Sequence, residues 1–210
     1  MNNILVLGGT GFVGRHLSAR LTAAGFQLTV PTRQAGGATM APDARLRVVP
    51  ADVHDPDALA ALMQGQDAVV NLVAILHGTA DTFERVHVEL PRTIARACAA
   101  TGVRRLVQVS ALGASLDGPS MYQRSKARGE AVLQAAAAAG TLDLTVLRPS
   151  VIFGADDKFL NVFAQLQRVI PVIPLAGAGT RFQPVWVGDV AAAVHRCLLD
   201  ERTIGKTFEA

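Results

Sequence analysis

Short apolar runs alternate with amphipathic stretches along most of this chain. The first run covers residues 4–7, and it is followed by Leu17 and Leu21 at helical spacing. A continuous apolar run is typical of a strand that is buried on both faces of a parallel sheet, and the longer period is typical of a helix packed on that sheet. Because the alternation recurs, we predict an α/β fold with a Rossmann-like, doubly wound parallel sheet.

The same pattern predicts the remaining elements. Further strands are predicted at 27–30, 47–49, 67–71, 104–109, 144–147, 185–187 and 206–209. Residues 71–74 are predicted to form the end of the strand that begins at 67. Further helices are predicted at 56–63, 82–101, 122–139 and 159–169, and a last one follows a cap at 188–189 and reaches about 199. Pro91 interrupts the helix at 82–101, which indicates a kink or a restart.

A glycine-rich turn joins the first strand to the first helix. Gly8, Gly11 and Gly14 stand three residues apart in this turn. Gly8 allows a tight turn out of the strand, Gly11 leaves room for a diphosphate beside the backbone, and Gly14 allows close packing of the helix on the strand. Such turns also serve plain chain reversal, but the position between a buried strand and a helix start favours the binding of a nucleotide.

The ends of the second and third strands bear on the choice of nucleotide. Thr32 and Arg33 stand where dinucleotide folds often carry an acidic residue for the ribose hydroxyls. The guanidinium suits a 2′-phosphate, although a solvated loop arginine has the same appearance, so we expect NADP(H) rather than NAD(H). Asp52 either accepts a hydrogen bond from adenine or caps the next helix.

Tyr122, the only tyrosine, lies four residues before Lys126. Residues at this spacing share one face of a helix, so both side chains are able to reach one ligand. A nearby ammonium makes a phenol a better acid, which suits proton donation to a carbonyl that receives a hydride from a nicotinamide. The same spacing is common on solvated helix faces. Its place after the fifth strand of a glycine-motif fold favours a role at the cofactor and leaves catalysis open.

Composition narrows the class of protein. The length of 210 residues suffices for one sizeable domain, or for one domain with a small annex. Half of the residues are hydrophobic, and the net charge is +3. Few aromatics and no basic cluster disfavour nucleic-acid binding. No apolar run reaches ~18 residues and Met1 leads directly into a strand, so we expect no membrane span, no signal peptide and a cytoplasmic protein. Cys98 and Cys197 are expected to be buried thiols, and no metal site is expected.

These motifs together resemble the extended and atypical branches of the short-chain dehydrogenases/reductases. Five passages are more specifically similar to the NAD(P)H-binding accessory subunit of respiratory complex I and its bacterial relatives, which are often labelled NAD-dependent epimerases or dehydratases. The passages lie at 71–76, 109–114, 122–126, 148–154 and 185–190. The resemblance covers nearly the whole chain.

The resemblance implies a Rossmann core at 1–150 and a small, incomplete C-terminal substrate lobe at 151–210, interleaved with the last core elements. It also implies a bound NADP(H) along the carboxyl edge of the sheet. The implied contacts are Gly8, Thr10, Gly11, Phe12, Val13 and Gly14 at the diphosphate, Arg33 at the 2′-phosphate, Asp52 and Val53 near adenine, Ala74 beside the cofactor, Tyr122 and Lys126 at the nicotinamide ribose, and Pro149 and Ser150 near the nicotinamide.

Two departures from the family pattern leave the function open. Ser110 is the candidate for the serine that polarises a substrate carbonyl, but the family register places Ala111 at that position. Relatives also continue beyond the length of this chain with helices that complete the lobe. One interpretation is a reductase or epimerase for a carbonyl or nucleotide-sugar-like metabolite, with Tyr122, Lys126 and Ser110 as catalytic residues. The other is a non-catalytic NADP(H)-binding or redox-sensing subunit. A homodimer or a larger complex is the expected assembly.

Overall fold

The computed structural model describes residues 1–33, 40–157 and 183–210. The described strands are β1 (Asn3–Leu7), β2 (Gln27–Thr32), β3 (Leu46–Pro50), β4 (Ala68–Asn71), β5 (Arg105–Val109), β6 (Asp143–Arg148), β7 (Ile152–Phe153), β8 (Val185–Trp186) and β9 (Thr207–Glu209). The described α-helices are α1 (Phe12–Ala23), α2 (Pro56–Met63), α3 (Ala80–Glu84), α4 (Leu90–Thr101), α5 (Met121–Ala138) and α6 (Val187–Leu199).

Seven strands form one parallel sheet in the order β3-β2-β1-β4-β5-β6-β9. The predicted doubly wound sheet is therefore confirmed. Successive connections run outwards in opposite directions from β1 and β4, so a crevice opens between the carboxyl ends of these two strands. In open α/β sheets, ligands bind at such a switch point. β7 and β8 form a separate two-stranded parallel sheet.

β1 shows why the sheet has a helical layer on each face. Its apolar residues 4–7 are fully buried and alternate between two cores. Ile4 and Val6 belong to the core beneath α1 and α6, whereas Leu5 and Leu7 belong to the core beneath α2, α4 and α5. Burial on both faces explains the unbroken apolar run. Because α6 contributes to the first of these cores and β9 pairs with β6, elements beyond residue 150 are part of the same sheet assembly.

The predicted helix at 82–101 is interrupted before the proline. α3 ends at Glu84, a turn of π-helix spans Arg85–Glu89, and Pro91 lies in the first turn of α4. The backbone stays right-handed helical at Glu89 and Leu90, and the Leu90 N–H donates to Arg85 O, so the π turn leads directly into α4. The predicted interruption near Pro91 therefore takes the form of a π turn, which the sequence pattern did not indicate.

Two local predictions were wrong, and one of the two alternatives left open for Asp52 is excluded. β4 ends at Asn71 rather than at 74, because the Asn71 side chain accepts the Val73 N–H at 3.1 Å and starts a turn. Asp55, not Asp52, caps α2, and its carboxylate accepts two N–H groups of the first turn. α6 begins at Val187, ahead of the predicted cap, and Asp189 lies in its first turn. The helix predicted at 159–169 lies outside the described residues.

Both cysteines are free and buried, as predicted. Burial raises the pKa of the Cys98 thiol to about 12, so this thiol is unreactive at neutral pH. Among the residues that the structure describes, no helix has the length and apolarity needed to cross a membrane. Within the same ranges, no cluster of three or more His, Cys, Asp or Glu side chains is placed to hold a metal ion.

Candidate functional site: a nucleotide crevice at the sheet's carboxyl edge

The glycine turn after β1 forms one wall of the crevice. Gly8 adopts φ +79°, a conformation that favours glycine, and a Cβ there would lie 3.1 Å from the backbone of Leu72 and Val73. The turn and the loop after β4 therefore approach each other closely. This geometry confirms that the glycine at position 8 serves a tight turn out of the strand.

Gly14 and Gly11 are glycines for different reasons. A Cβ on Gly14 would lie 2.5 Å from Gly9 Cα and would overlap Gly8 O, so the side-chain-free position lets α1 start directly on the turn. Gly11 is exposed and has extended backbone angles that any residue adopts, and its Cβ would meet only Gly8 O, at 3.2 Å. The fold requires Gly14, whereas it leaves the space beside Gly11 open towards solvent.

The start of α1 has no side-chain cap. Asp55 and Ser120 cap α2 and α5, but Gly11 at the start of α1 offers no side chain, and the first turn contains no acidic residue. The N–H groups of this turn therefore face the crevice with the positive end of the helix dipole. An uncapped helix start beside an open glycine fits the diphosphate of a dinucleotide. Thr10, Phe12 and Val13 lie in this turn, partly buried.

The ends of β2 and β3 lie beyond the glycine turn, on the β1 side of the crevice. Arg33 is exposed after β2, and Asp52 and Val53 follow β3. Burial and the charge of Arg85 lower the pKa of His54, and the charge of Arg33 lowers it further. Arg85 belongs to the π turn and was not a predicted site residue. The influence of Arg85 on His54 depends on tertiary structure, because the two residues belong to different elements.

Tyr122 and Lys126 lie on one face of α5, as predicted. Tyr122 is partly buried, and burial raises the pKa of its phenol. Lys126 is 4% exposed, and its Nζ donates a hydrogen bond to Val109 O, 3.0 Å away at the end of β5. Burial lowers the pKa of Lys126 to about 8, against the opposing charge of Glu130. The ammonium is therefore mostly charged at neutral pH and is fixed at the sheet edge.

Buried amides hold the strand ends around this lysine. Asn71 Nδ2 donates to Gln108 Oε1 at 2.9 Å, and Gln108 Nε2 donates to Val109 O at 3.0 Å. The Val109 carbonyl oxygen thus accepts hydrogen bonds from both the Gln108 amide and the Lys126 ammonium. The network ties the end of β4 to the end of β5 and α5. Ala74 is exposed three residues after β4, in the loop that this network supports.

The end of β5 places the candidate serine in a closed environment. Ser110 donates its backbone N–H to Leu147 O at 2.7 Å, and its buried Oγ has no hydrogen-bond partner among the described residues. Ala111 is buried beside it. Pro149 O accepts the Leu112 N–H at 2.9 Å, which joins the loops after β5 and β6. Ser150, partly buried, follows in the same loop.

A buried ion pair supports α5 one turn beyond Lys126. Glu130 is 3% exposed, and both its carboxylate oxygens accept hydrogen bonds from Arg148 at 2.7–3.2 Å. Arg148 ends β6, and it also lies 3.6 Å from Glu209 of β9. Sequence reasoning missed Glu130, although its spacing of four residues from Lys126 was visible.

The structure therefore gathers the predicted residues at one edge of the sheet. The glycine turn lies beside the loop after β4, and the Lys126 ammonium lies beside the end of β5. A family model described as the NAD dependent epimerase/dehydratase family matches residues 4–209. The chain belongs to this family. Its Rossmann-like fold is that of a short-chain dehydrogenase/reductase-like family member.

Known relatives of this epimerase/dehydratase family member have different names. NADH dehydrogenase [ubiquinone] 1 alpha subcomplex subunit 9, mitochondrial, of Arabidopsis thaliana is 37% identical over 97% of this chain and 52% of its own length. A ceramide reductase of Caulobacter vibrioides is 31% identical over 90% of this chain and 58% of its own length. The predicted likeness to the complex I subunit is confirmed. The chain spans about half the length of the curated relatives that it matches.

Solved structures show the same architecture. A dTDP-glucose 4,6-dehydratase of Streptomyces venezuelae, determined as a double mutant with NAD bound, superposes with a TM-score of 0.87. It is 26% identical, and the match covers 98% of this chain and 74% of that one. The similarity confirms the Rossmann-like fold and a family in which a dinucleotide is bound.

Proposed function

We propose that this family member binds NADP(H) and uses Tyr122 and Lys126 to reduce or epimerise a carbonyl-bearing metabolite. The observation that carries the proposal is the Lys126 ammonium, buried on α5 one turn from Tyr122 and fixed to Val109 O. The uncapped start of α1 beside Gly11 supports the placement of the diphosphate. Ala74 follows β4, and Pro149 and Ser150 follow β6, at the same edge of the sheet.

The chemistry assigned to the chain's own residues is proton transfer. NADPH, when bound, would supply a hydride to the substrate carbonyl. Tyr122 donates a proton from its phenol to the carbonyl oxygen, and the Lys126 charge favours the phenolate that remains. Because burial raises the pKa of Tyr122, a charged neighbour is needed for the phenol to act as an acid. Ser110 would contribute only if its buried hydroxyl reached the carbonyl.

Replacing Tyr122 by phenylalanine tests this assignment. Phenylalanine preserves the ring and removes the hydroxyl, so turnover is expected to fall by about 10²- to 10⁴-fold, with NADPH affinity changed by less than about threefold. Oxidation of NADPH is followed by absorbance with a panel of aldehydes, ketones and nucleotide sugars, and affinity by fluorescence. Ser110→Ala is the companion variant, because equal turnover in it removes Ser110 from the catalytic set. Wild-type turnover in Tyr122→Phe contradicts the proposed role of the phenol.

The preference for NADP(H) rests on Arg33, the basic side chain directly after β2. Arg33→Ala is expected to weaken NADPH binding by about tenfold and NADH binding by less than twofold, since only NADPH carries the 2′-phosphate. Arg20→Ala is the matched control, because Arg20 is exposed in the last turn of α1. Calorimetric titration with both nucleotides measures the effect. Equal losses for the two nucleotides would show that Arg33 does not contact the 2′-phosphate.

Exposed apolar side chains in the loops after β4 and β5 and at the start of α5 favour a substrate with an apolar body. Leu76, Leu112, Leu116 and Met121 are large and exposed, and they lie in the loops after β4 and β5 and at the start of α5. One relative is named for the reduction of ceramide, a lipid. We therefore expect long-chain carbonyl compounds to be turned over in preference to nucleotide sugars. The substrate panel described above separates these two classes.

A second candidate function is a non-catalytic NADP(H)-binding subunit of a larger assembly. The specific observation in its favour is that Ser110 Oγ is buried and has no hydrogen-bond partner among the described residues. The sequence resemblance places Ala111, buried beside it, at the family's serine position. A relative is a named subunit of NADH dehydrogenase [ubiquinone]. Tightly bound NADPH that survives purification and is not oxidised by any carbonyl compound, in wild type and Tyr122→Phe alike, is the result expected from this function.

A further inference from the structure

His87 occupies the centre of the π turn and bonds to two other elements. It is 3% exposed. Its Nε2 accepts the backbone N–H of Ile75 at 3.1 Å, and its Nδ1 lies 2.8 Å from Ser125 Oγ. Ser125 Oγ in turn donates to Tyr122 O at 2.9 Å. One buried side chain therefore connects the loop after β4 to the first turn of α5.

These contacts determine the protonation state of the ring. Since Ile75 donates to Nε2, that nitrogen carries no proton, so Nδ1 carries the proton and donates it to Ser125 Oγ. The serine hydroxyl is then free to donate to the Tyr122 carbonyl. Burial and the Lys126 charge lower the pKa of His87 to about 3, in agreement with a neutral ring. Every polar atom in this chain of bonds has a partner.

The same turn is packed tightly against the helix that carries Tyr122. The His87 and Tyr122 rings meet edge to face with centroids 5.6 Å apart, and Phe83 packs against both. A Cβ on Gly129 would overlap the His87 backbone carbonyl, so α5 and the π turn are in direct backbone contact. This close packing leaves His87 little room to move relative to Tyr122.

We propose that His87 is a positioning residue that holds residues 72–77 against α5 and thereby sets the affinity for the dinucleotide. The inference rests on the proposed function, in which this loop and Tyr122 line the same nucleotide crevice. Within the part of the chain that the structure describes, the His87 ring bonds to Ile75 and Ser125. Loss of its hydrogen bonds releases the loop on the side of Ala74, which lies next to Ile75.

His87→Phe removes both hydrogen bonds and preserves a ring for packing. Hydrogen exchange of the Ile75 amide, followed by NMR, is expected to become at least about fivefold faster, because the amide loses its acceptor. The dissociation constant for NADPH, measured by fluorescence, is expected to rise about tenfold. In wild type, NMR of the imidazole nitrogens should show the proton on Nδ1. His87→Gln, which keeps one donor and one acceptor, should restore most of the Ile75 protection and of the affinity.

Two further variants make the result decisive. Phe83→Leu alters the same ring cluster without touching either hydrogen bond, so it should leave Ile75 exchange unchanged. Ser125→Ala removes the acceptor of Nδ1–H and the hydrogen bond from Ser125 Oγ to Tyr122 O, but it leaves Nε2 as the acceptor of the Ile75 N–H. It should therefore give a smaller gain in exchange, which keeps the test valid if His87→Phe does not fold. Wild-type exchange in His87→Phe or Ser125→Ala, or faster exchange with unchanged NADPH affinity, overturns the proposal. Failure of the wild type itself to bind NADPH instead refutes the proposed function and the affinity role with it.

Discussion

The substitution Gly11→Ala should weaken NADPH binding by roughly 10- to 100-fold and leave the fold intact. The backbone there is extended, and an added methyl group would meet only Gly8 O, at 3.2 Å, so the free energy of unfolding should change by less than about 1 kcal/mol. The methyl group would however stand where the diphosphate is proposed to approach the helix start, and overpacking against a ligand has a cost of about 1–3 kcal/mol. Calorimetric titration with NADPH and urea unfolding measure the two effects.

Gly14→Ala is the matched comparison. Its methyl group would lie 2.5 Å from Gly9 Cα and would overlap Gly8 O, and neither backbone atom is able to move without opening the turn. We expect a loss of about 3 kcal/mol in the free energy of unfolding together with the loss of NADPH binding. If the Gly11 variant instead binds NADPH as tightly as wild type does, the diphosphate does not lie beside this glycine.

Glu130→Gln should have the second large effect, on both stability and titration. It leaves the Arg148 guanidinium, with its side chain 24% exposed, facing a neutral amide, and breaking a buried ion pair in this way lowers the free energy of unfolding by about 3 kcal/mol. It also removes the charge that raises the pKa of Lys126 against burial, so this pKa should fall below its value of about 8. NADPH affinity should therefore begin to decline at a lower pH than in the wild type.

Glu209→Gln is the control for that experiment. Glu209 meets the same guanidinium, but at 3.6 Å and with its side chain 58% exposed. Solvent screens such a pair, so its loss should change the free energy of unfolding by less than about 1 kcal/mol and should leave the pH dependence of NADPH binding unchanged. Equal destabilisation by the two substitutions would contradict the assignment of the main charge pairing to Glu130.

Much of the fold was predictable because local patterns and long-range packing agree here. The run at 4–7 is apolar throughout since β1 is buried on both faces, and Gly14 lacks a side chain since α1 begins against the turn. The errors arose at boundaries. Asn71 ends β4 by accepting a backbone N–H from its own turn, and Asp55 rather than Asp52 reaches the start of α2. A side chain's choice among nearby N–H groups depends on backbone geometry that the pattern does not contain.

The sequence by itself determined the alternation of strands and helices, the glycine turn, and the shared face of Tyr122 and Lys126, because periodicity and spacing within one element fix these features. Only the tertiary structure decided which distant groups surround them. His87 meets Ile75 and Ser125 because a π turn packs on α5. Contacts between elements depend on how the sheet and its helices are packed together, and no local pattern encodes that arrangement.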